Sequence, residues 1–395
     1  MIVGVPVESF SGELRVTLVP AVVSDLVKIG VEVLVQEGAG ERAGFLDTEY
    51  SEKGARLTPD RSQLFSEADF LLCLHTLAER TGVPDPGDLN LLKPGHIVLG
   101  MLNPLGAPDA AQALAEKQVT SFALELLPRI TRAQSMDILS SMATISGYKA
   151  VLLAAGALDK MCPMMMTAAG TVSPARVFVM GAGVAGLQAI ATSRRLGAVV
   201  QAYDVRPAVK EQVESLGAKF VELALDTGSA EGSGGYAQAM EEEFYRRQRE
   251  MMKAVVAEMD VVITTAAVPG KKAPVLLTEE MVRGMRSGSV ILDLAAEGGG
   301  NCEVTRAGET IQVGGVTILG PVNLPSSVPY HASQMLSRNI TAFLSNLMEE
   351  GKLRLDLEDE VIRESMLTHQ GKVVHPLVCQ LSGMNNSDKE ERSNS

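Results

Sequence analysis

Arg176 to Asp204 reads RVFVMGAGVAGLQAIATSRRLGAVVQAYD. An apolar strand runs into Gly181-Ala-Gly183-Val-Ala-Gly186, a helix follows, and a second strand ends at Asp204, eighteen residues after Gly186. Gly181 permits a tight turn, Gly183 lets a pyrophosphate approach the backbone, and Gly186 lets the helix pack close to the sheet. The pyrophosphate then rests on free helix N–H groups. An acid closing the second strand receives ribose hydroxyls and repels a 2′-phosphate, which predicts NAD(H) rather than NADP(H). A glycine turn alone would suit an unrelated α/β fold. The ordered set of strand, turn, helix, strand and acid favours the dinucleotide reading.

Outward from this unit, strands are expected at Val261 to Thr264, Val290 to Leu294 and Val316 to Leu319. The N-terminal part also alternates: strands at Ile2 to Val7, Val31 to Gln36, Asp69 to Leu74 and His96 to Gly100, with a helix at Pro20 to Ile29. Alternating strand and helix predicts parallel sheets covered by helices. No glycine fingerprint follows the first strand, so this half need not bind a nucleotide. Thr144 to Leu158, rich in small and apolar residues, predicts a buried helix joining two domains. Leu336, Ile340, Phe343, Leu344 and Leu347 fall on one face of a C-terminal helix. Asp226 to Gly235 (DTGSAEGSGG) predicts a lid or linker, leading into a charged helical stretch from Tyr236 to Glu258. The tail from Asn385 is too polar to pack and predicts disorder. No internal repeat is visible.

Composition excludes several classes. The 395 residues carry 35 basic and 48 acidic side chains, a net charge of −13. Nucleic-acid binding, whose affinity comes from phosphate neutralisation, is not expected. Cys73, Cys162, Cys302 and Cys379 form no CxxC pair, which suits a reducing cytoplasm. Met1 leads into apolar residues without a targeting pattern. Val177 to Ser193 is uncharged but holds three glycines, so no transmembrane helix is expected there. The five histidines show no ligand spacing, each is expected to be structural, and no metal site is predicted. Met164 to Met166 is expected to be adaptable packing.

Two further stretches are ambiguous by chemistry alone. Small residues at Thr264 to Ala267, and in Asp293-Leu-Ala-Ala-Glu-Gly-Gly-Gly, leave room for a ligand at strand ends or for close helix packing. In Pro128 to Ser141, Arg129, Gln134, Asp137 and Ser140 offer the donors and acceptors a nicotinamide carboxamide needs. Thr131-x-x-Gln134 is also a capping-box pattern, and residue chemistry alone favours the cap.

A resemblance converts these signals. The stretches PRITRAQSMDILSS, PMMMTAAGTVSPARV, GAGVAGLQAIATSRRLGA, DVRPAVKEQVESLGAKF, GGYAQAMEEEFYRRQ, ITTAAVPGKKAPVLLTEEMV and a late HPL resemble the NAD(H)-binding component, domain I, of proton-translocating NAD(P) transhydrogenases. The similarity runs from Met1 to about Pro376, and the wider family includes alanine dehydrogenases. It implies that Arg129, Gln134, Asp137 and Ser140 hold the nicotinamide, with Ile130, Ser135 and Met136 in the same loop. It places Gly181, Gly183, Val184 and Gly186 at the pyrophosphate, and Asp204, Val205 and Arg206 at the adenosine ribose. Tyr236 matches a mobile loop that closes over NAD, with Gly235 and Gln248 nearby. Ala266 and Ala267 match a further contact, although the family often has Leu at the latter. Arg129, Gln134 and Asp137 are the residues implied in the reaction.

The implied fold is two doubly wound, Rossmann-like parallel-sheet domains with a cleft between them. Residues 1–140 plus 324–384 form the first domain, and residues 141–323 the NAD(H)-binding domain with a mobile loop at 226–248. Residues 385–395 form the tail. The implied activity is hydride transfer between NADH bound here and NADP+ bound on a partner subunit, coupled to proton translocation by membrane subunits. The implied assembly is a homodimer on the cytoplasmic side of the inner membrane, held there by membrane-embedded partners that include an NADP(H)-binding domain, with no membrane insertion of its own. The chain stops where longer relatives run on into membrane helices, so it is expected to be the separately encoded soluble form. Two other classes compete, an alanine dehydrogenase-like amino-acid oxidoreductase and a non-catalytic NAD-binding regulator. Against the first, Cys73 and Met101 stand where alanine dehydrogenases use Lys and His.

Overall fold

The computed structural model describes residues 1–75, 86–223, 242–268, 270–349 and 351–382. They form two compact units. One joins the stretch up to Met142 with the stretch from Val328, and the other runs from Ala143 to Ser327. In chain order the first stretch holds β1 (Ile2–Val5), β2 (Glu32–Gln36), β3 (Arg56–Thr58), β4 (Phe70–Cys73), β5 (Ile97–Gly100) and β6 (Thr120–Ala123). The second unit holds β7 (Met165–Thr167), β8 (Gly170–Val172), β9 (Arg176–Met180), β10 (Val199–Tyr203), β11 (Lys219–Phe220), β12 (Val261–Thr264), β13 (Val290–Asp293), β14 (Thr310–Val313) and β15 (Val316–Leu319). The chain then returns to the first unit with β16 (Met348–Glu349), β17 (Lys352–Leu353), β18 (Met366–His369) and β19 (Lys372–Val373).

Both large sheets are doubly wound. The order is β19-β18-β6-β5-β4-β1-β2-β3 in the first unit and β11-β10-β9-β12-β13-β15-β14 in the second. In each, the strand order reverses beside the first-formed strand, at β1/β4 and at β9/β12, and such reversals are where ligands bind in open α/β sheets. The sheets are not wholly parallel. β18 runs antiparallel to β6, β19 to β18, and β14 to β15. The β14–β15 hairpin turns on Gly314-Gly315, both at positive φ, the demand of a two-residue hairpin loop. The short edge strands carry too few apolar residues for sequence to reveal them.

The central strands read as continuous apolar runs because both faces are covered. β4, β5, β12 and β13 are buried at every residue. The long C-terminal helix, Pro329–Leu347, buries Leu336, Ile340, Phe343, Leu344 and Leu347 as its spacing requires, with Phe343 edge-on to Phe122 of β6. The joining helix spans Ile138–Ala157, starting six residues before the small-residue run at Thr144. Its Ala150, Val151 and Ala154 enter the core of the second unit. It is also the one described helix long and apolar enough to cross a membrane, rather than the stretch at Val177 to Ser193.

The methionine run departs from expectation. Met164, Met165 and Met166 lie on and beside the β7–β8 hairpin and are exposed, Met166 at 77%. A two-stranded hairpin outside the main sheet has no second layer to pack on, so these side chains are not core filling.

Candidate functional site

Each glycine of the turn after β9 is fixed by its own geometry. Gly181 has φ +100°, and a Cβ there would lie 2.5 Å from Thr265 Oγ1. A Cβ on Gly186 would lie 1.9 Å from the Gly181 carbonyl oxygen. At Gly183 a Cβ would meet no atom within 4 Å among the described residues. Two glycines therefore serve the fold, whereas the third keeps a space open. Gly183 is the N-cap of helix Val184–Arg195, and no described side chain caps it. That leaves first-turn N–H groups and the positive end of the helix dipole for an anion, while Arg194 and Arg195 favour the other end. Val184 is exposed at the start of this helix. Gly147 of the joining helix presses on it from behind, where a Cβ would come within 2.1 Å of the Ala185 carbonyl. An open cradle with uncapped donors fits a dinucleotide's pyrophosphate.

Asp204 lies just past β10 and is already engaged. Its Oδ2 accepts from the Ala182 N–H at 2.7 Å and from Arg206 Nη2 at 2.8 Å. Its Oδ1 accepts from the Arg206 N–H and Nε, both at 2.9 Å. The carboxylate is 5% exposed and the guanidinium 13%. A carboxylate offers about four acceptor positions, and all four are filled by protein donors. It ties the glycine turn to the end of the next strand, and a ribose diol must displace part of Arg206 to reach it. Val205 is half-buried beside it.

Across the strand-order reversal, Thr265 and Ala266 follow β12. Thr265 Oγ1 donates to the Gly181 carbonyl at 3.1 Å, binding the two strand ends together. The fully buried Asn301 side chain takes both backbone polar groups of Ala266, and Ala267 is exposed. Buried Asp293 accepts from Thr264 and Thr305 hydroxyls and from the Ala295, Asn301 and Cys302 amides. It knits the ends of β12 and β13 to the glycine-rich loop that follows. Among the described residues, three buried polar side-chain atoms in this unit have no partner, the Ser193 and Tyr203 hydroxyls and Gln248 Oε1. Burial, with Asp204 and Tyr245 nearby, pushes the Tyr203 hydroxyl above its ordinary range. Gln248 lies on helix Glu242–Ala257. Gly235 and Tyr236, most of the loop 226–248 and the tail 385–395 lie outside the described residues.

The other candidates belong to the first unit. Thr131–Met136 forms a short 3-10 helix whose N-cap, Ile130, has no described side-chain cap, so the Thr131/Gln134 capping box is not formed. The cap forms one turn later. Asp137 precedes the joining helix, its Oδ1 accepting from the Ser140 N–H at 2.9 Å and its Oδ2 from the Ser140 hydroxyl at 2.6 Å. Arg129, Gln134 and Ser135 are exposed, Ile130 is half-buried, and the Met136 side chain is buried. The loop is anchored from beneath. Asn339 donates to the Ser135 carbonyl at 2.8 Å, and Arg132 forms a forked ion pair with Asp359. That pairing holds the Asp359 carboxyl down at about 2.

The β1/β4 reversal in the first unit has no glycine turn. It is filled by charge that the sequence reading missed. Glu8 Oε1 accepts from the Leu74 N–H at 2.6 Å. Glu13 holds Arg15 in a fork and accepts from His75 Nε2 at 2.8 Å, and His75 stacks on Phe10. Burial pushes the Glu8 carboxyl up to about 7, against the pull of His75 and Arg61. Burial alone would raise Glu13 too, but hydrogen bonds from Arg15 and His75 outweigh it and lower it strongly. Cys73 lies buried at the end of β4. Among the described residues no cluster of His, Cys, Asp and Glu is arranged to hold a metal.

Residues 4–146 match the family described as alanine dehydrogenase/PNT, N-terminal domain, and residues 150–376 match its C-terminal domain. The chain belongs to the alanine dehydrogenase/PNT family. It is 45% identical over 381 residues to the first portion of NAD(P) transhydrogenase subunit alpha of Rhodospirillum rubrum, covering 95% of this chain and 98% of that one. A crystal structure of transhydrogenase from Sinorhizobium meliloti superposes with a TM-score of 0.84 at 43% identity, covering 95% of this chain and all of the other. Alanine dehydrogenase of Bacillus subtilis is 28% identical over 388 residues, covering 96% and 94%. Within the family the chain is an NAD(P) transhydrogenase subunit alpha homologue, and the family's nicotinamide-nucleotide chemistry agrees with the open cradle at Gly183.

Proposed function

We propose that this chain is the NAD(H)-binding subunit of a proton-translocating transhydrogenase, passing hydride between NADH held here and NADP+ held on a partner subunit. The observation that carries this reading is the glycine turn: Gly181 and Gly186 are demanded by the fold, while Gly183 preserves open space in front of uncapped helix N–H groups. Gly183, Val184 and the first turn of that helix hold the pyrophosphate. Asp204 receives the ribose once Arg206 yields part of its grip, and like charge makes it hostile to a 2′-phosphate. Arg129, Gln134 and Asp137 orient the carboxamide, Asp137 as acceptor, with the Ser140 hydroxyl already committed to it. Gln248 supplies an unpartnered acceptor, and Ala266 and Ala267 an apolar wall.

The nucleotide supplies the hydride. Transfer between two nicotinamides neither releases nor consumes a proton, so the chain's residues need only bind and orient, effects that can reach many orders of magnitude in rate. The exposed Met164–Met166 run supports self-association into a homodimer, since exposed apolar side chains gathered on one hairpin mark contact surfaces. Partner subunits in the membrane then hold the dimer at its cytoplasmic face.

The test is reconstitution with an NADP(H)-binding transhydrogenase domain, following hydride transfer from NADPH to an NAD analogue. Transfer that requires both components is expected. Alanine-dependent NADH production without a partner would support the amino-acid oxidoreductase instead. NADH binding without any transfer would leave a regulator.

A further inference from the structure

Ala266 and Ala267 follow β12 on backbone that belongs to no regular element. Polar backbone groups in such a place must be satisfied by side chains or water. Asn301 does this for Ala266. Its Oδ1 accepts from the Ala266 N–H at 3.0 Å, and its Nδ2 donates to the carbonyls of Ala266 and Pro274, each at 2.8 Å. One amide side chain thus pairs with a backbone residue as a neighbouring strand would. Asn301 is itself fixed on both sides. Its N–H donates to Asp293 Oδ2 at 2.8 Å, and its carbonyl accepts from the Leu276 and Leu277 amides at 2.8 and 3.0 Å. The side chain is fully buried, with both ends of its amide bonded to backbone.

We infer that Asn301 is a positioning residue for the nucleotide, holding the strand-end backbone after β12 opposite the glycine turn. This rests on reading the end of β12 as part of the nucleotide site. Because both polar groups of Ala266 are spoken for, that residue meets a cofactor through shape alone. A wall that works by shape has to be held still, since van der Waals contact decays within a fraction of an ångström. Thr265 on the same stretch also bonds to the Gly181 carbonyl, so loosening the stretch disturbs the glycine turn as well.

The test compares Asn301→Ala with Val262→Ala, a cavity variant in the buried middle of β12. Both are titrated with NADH at a temperature where circular dichroism shows them folded, and amide hydrogen exchange is measured on each. Asn301→Ala is expected to weaken NADH binding at least tenfold and to expose the Ala266 amide to exchange while Val262 and Ile263 stay protected. Val262→Ala is expected to bind NADH within twofold of wild type. If Asn301→Ala does not fold, Asn301→Ser, which is too short to bridge Ala266 but buries no charge, replaces it with the same expected loss. Unchanged affinity on replacing Asn301, or an equal loss in Val262→Ala, overturns the inference. So does an Ala266 amide equally protected with and without Asn301. Wild-type protein that binds no NADH overturns the nucleotide reading itself, and the inference with it.

Discussion

Replacing Asp204 with Ala tests stability and cofactor choice together. The substitution removes a carboxylate that accepts four hydrogen bonds, one from the Ala182 amide of the glycine turn and three from Arg206. It breaks an ion pair in which the Arg206 side chain is only 13% exposed. Removing one partner of a buried pair costs about 3–5 kcal/mol. For a unit of this size that lowers Tm by roughly 6–20 °C. Binding changes in a different pattern. NADH loses a charged acceptor for its ribose, worth about 1.5–3 kcal/mol, or roughly 10- to 100-fold in Kd. NADPH loses a repulsion of up to about 4 kcal/mol per unit charge at 4 Å and an effective dielectric of 20. It also gains access to Arg206, no longer held by Asp204. The NADH/NADPH affinity ratio should therefore narrow by about a hundredfold or more. Calorimetric titration with both nucleotides, at a temperature where the variant is folded, reads this directly. Asp204→Asn separates the two contributions, because it keeps an acceptor for the Ala182 amide while discarding the charge. A large fall in Tm with an unchanged ratio would refute the argument. Asp204 would then only brace the turn through Arg206.

Gly183→Ala and Gly186→Ala should behave as opposites. The first meets open space, so Tm should hold within about 1 °C while NADH affinity falls; the second drives a Cβ into the Gly181 carbonyl and should unfold the unit or cost several kcal/mol. Equal thermal scans for the two would contradict this division of labour. Arg129→Ala and Asp137→Asn should slow hydride transfer in the reconstituted system more than they weaken NADH binding, because misorientation acts on the transition state. Wild-type rates in both would remove the loop from the reaction. Glu8 should make stability depend on pH. With its folded pKa near 7, above the ordinary 4.5, the folded state keeps a proton that the unfolded chain has lost. Stability therefore falls as pH rises from about 4.5 to 7 and levels off above, by about 3 kcal/mol from this group. Glu8→Gln keeps an acceptor for the Leu74 amide and should flatten that slope in urea midpoints taken between pH 4.5 and 8; an unchanged slope would assign the dependence elsewhere.

The features legible in the sequence are those whose causes are local. The glycine turn is readable because strand, turn and helix are consecutive, and Gly181 and Gly186 answer clashes within a few residues or across one adjacent strand. Buried strands such as Val261–Thr264 announce themselves as apolar runs, and the C-terminal helix by its period. Asp137 is visible as a polar residue in a suggestive loop, but its capping of Ser140 competes with a capping-box pattern at Thr131 that the chain does not use. The methionine run misleads because hydrophobicity reports a tendency toward burial, not which surface supplies it.

Residue spacing, under short-range steric and hydrogen-bond rules, is enough to read alternating strands and helices, parallel sheets covered by helices, a glycine turn at Gly181 to Gly186 and an acid at Asp204. What surrounds them is settled only in three dimensions. Asn301 reaches Ala266 from 35 residues away, and Glu13 meets His75 from 62. Thr368 joins Ser121 across 247. Arg206, two residues from Asp204, fills that carboxylate because both are buried at the end of β10. Which polar group satisfies which depends on where the sheet order brings distant segments and on the cost of leaving a buried group unpaired. No local pattern in the chain encodes either.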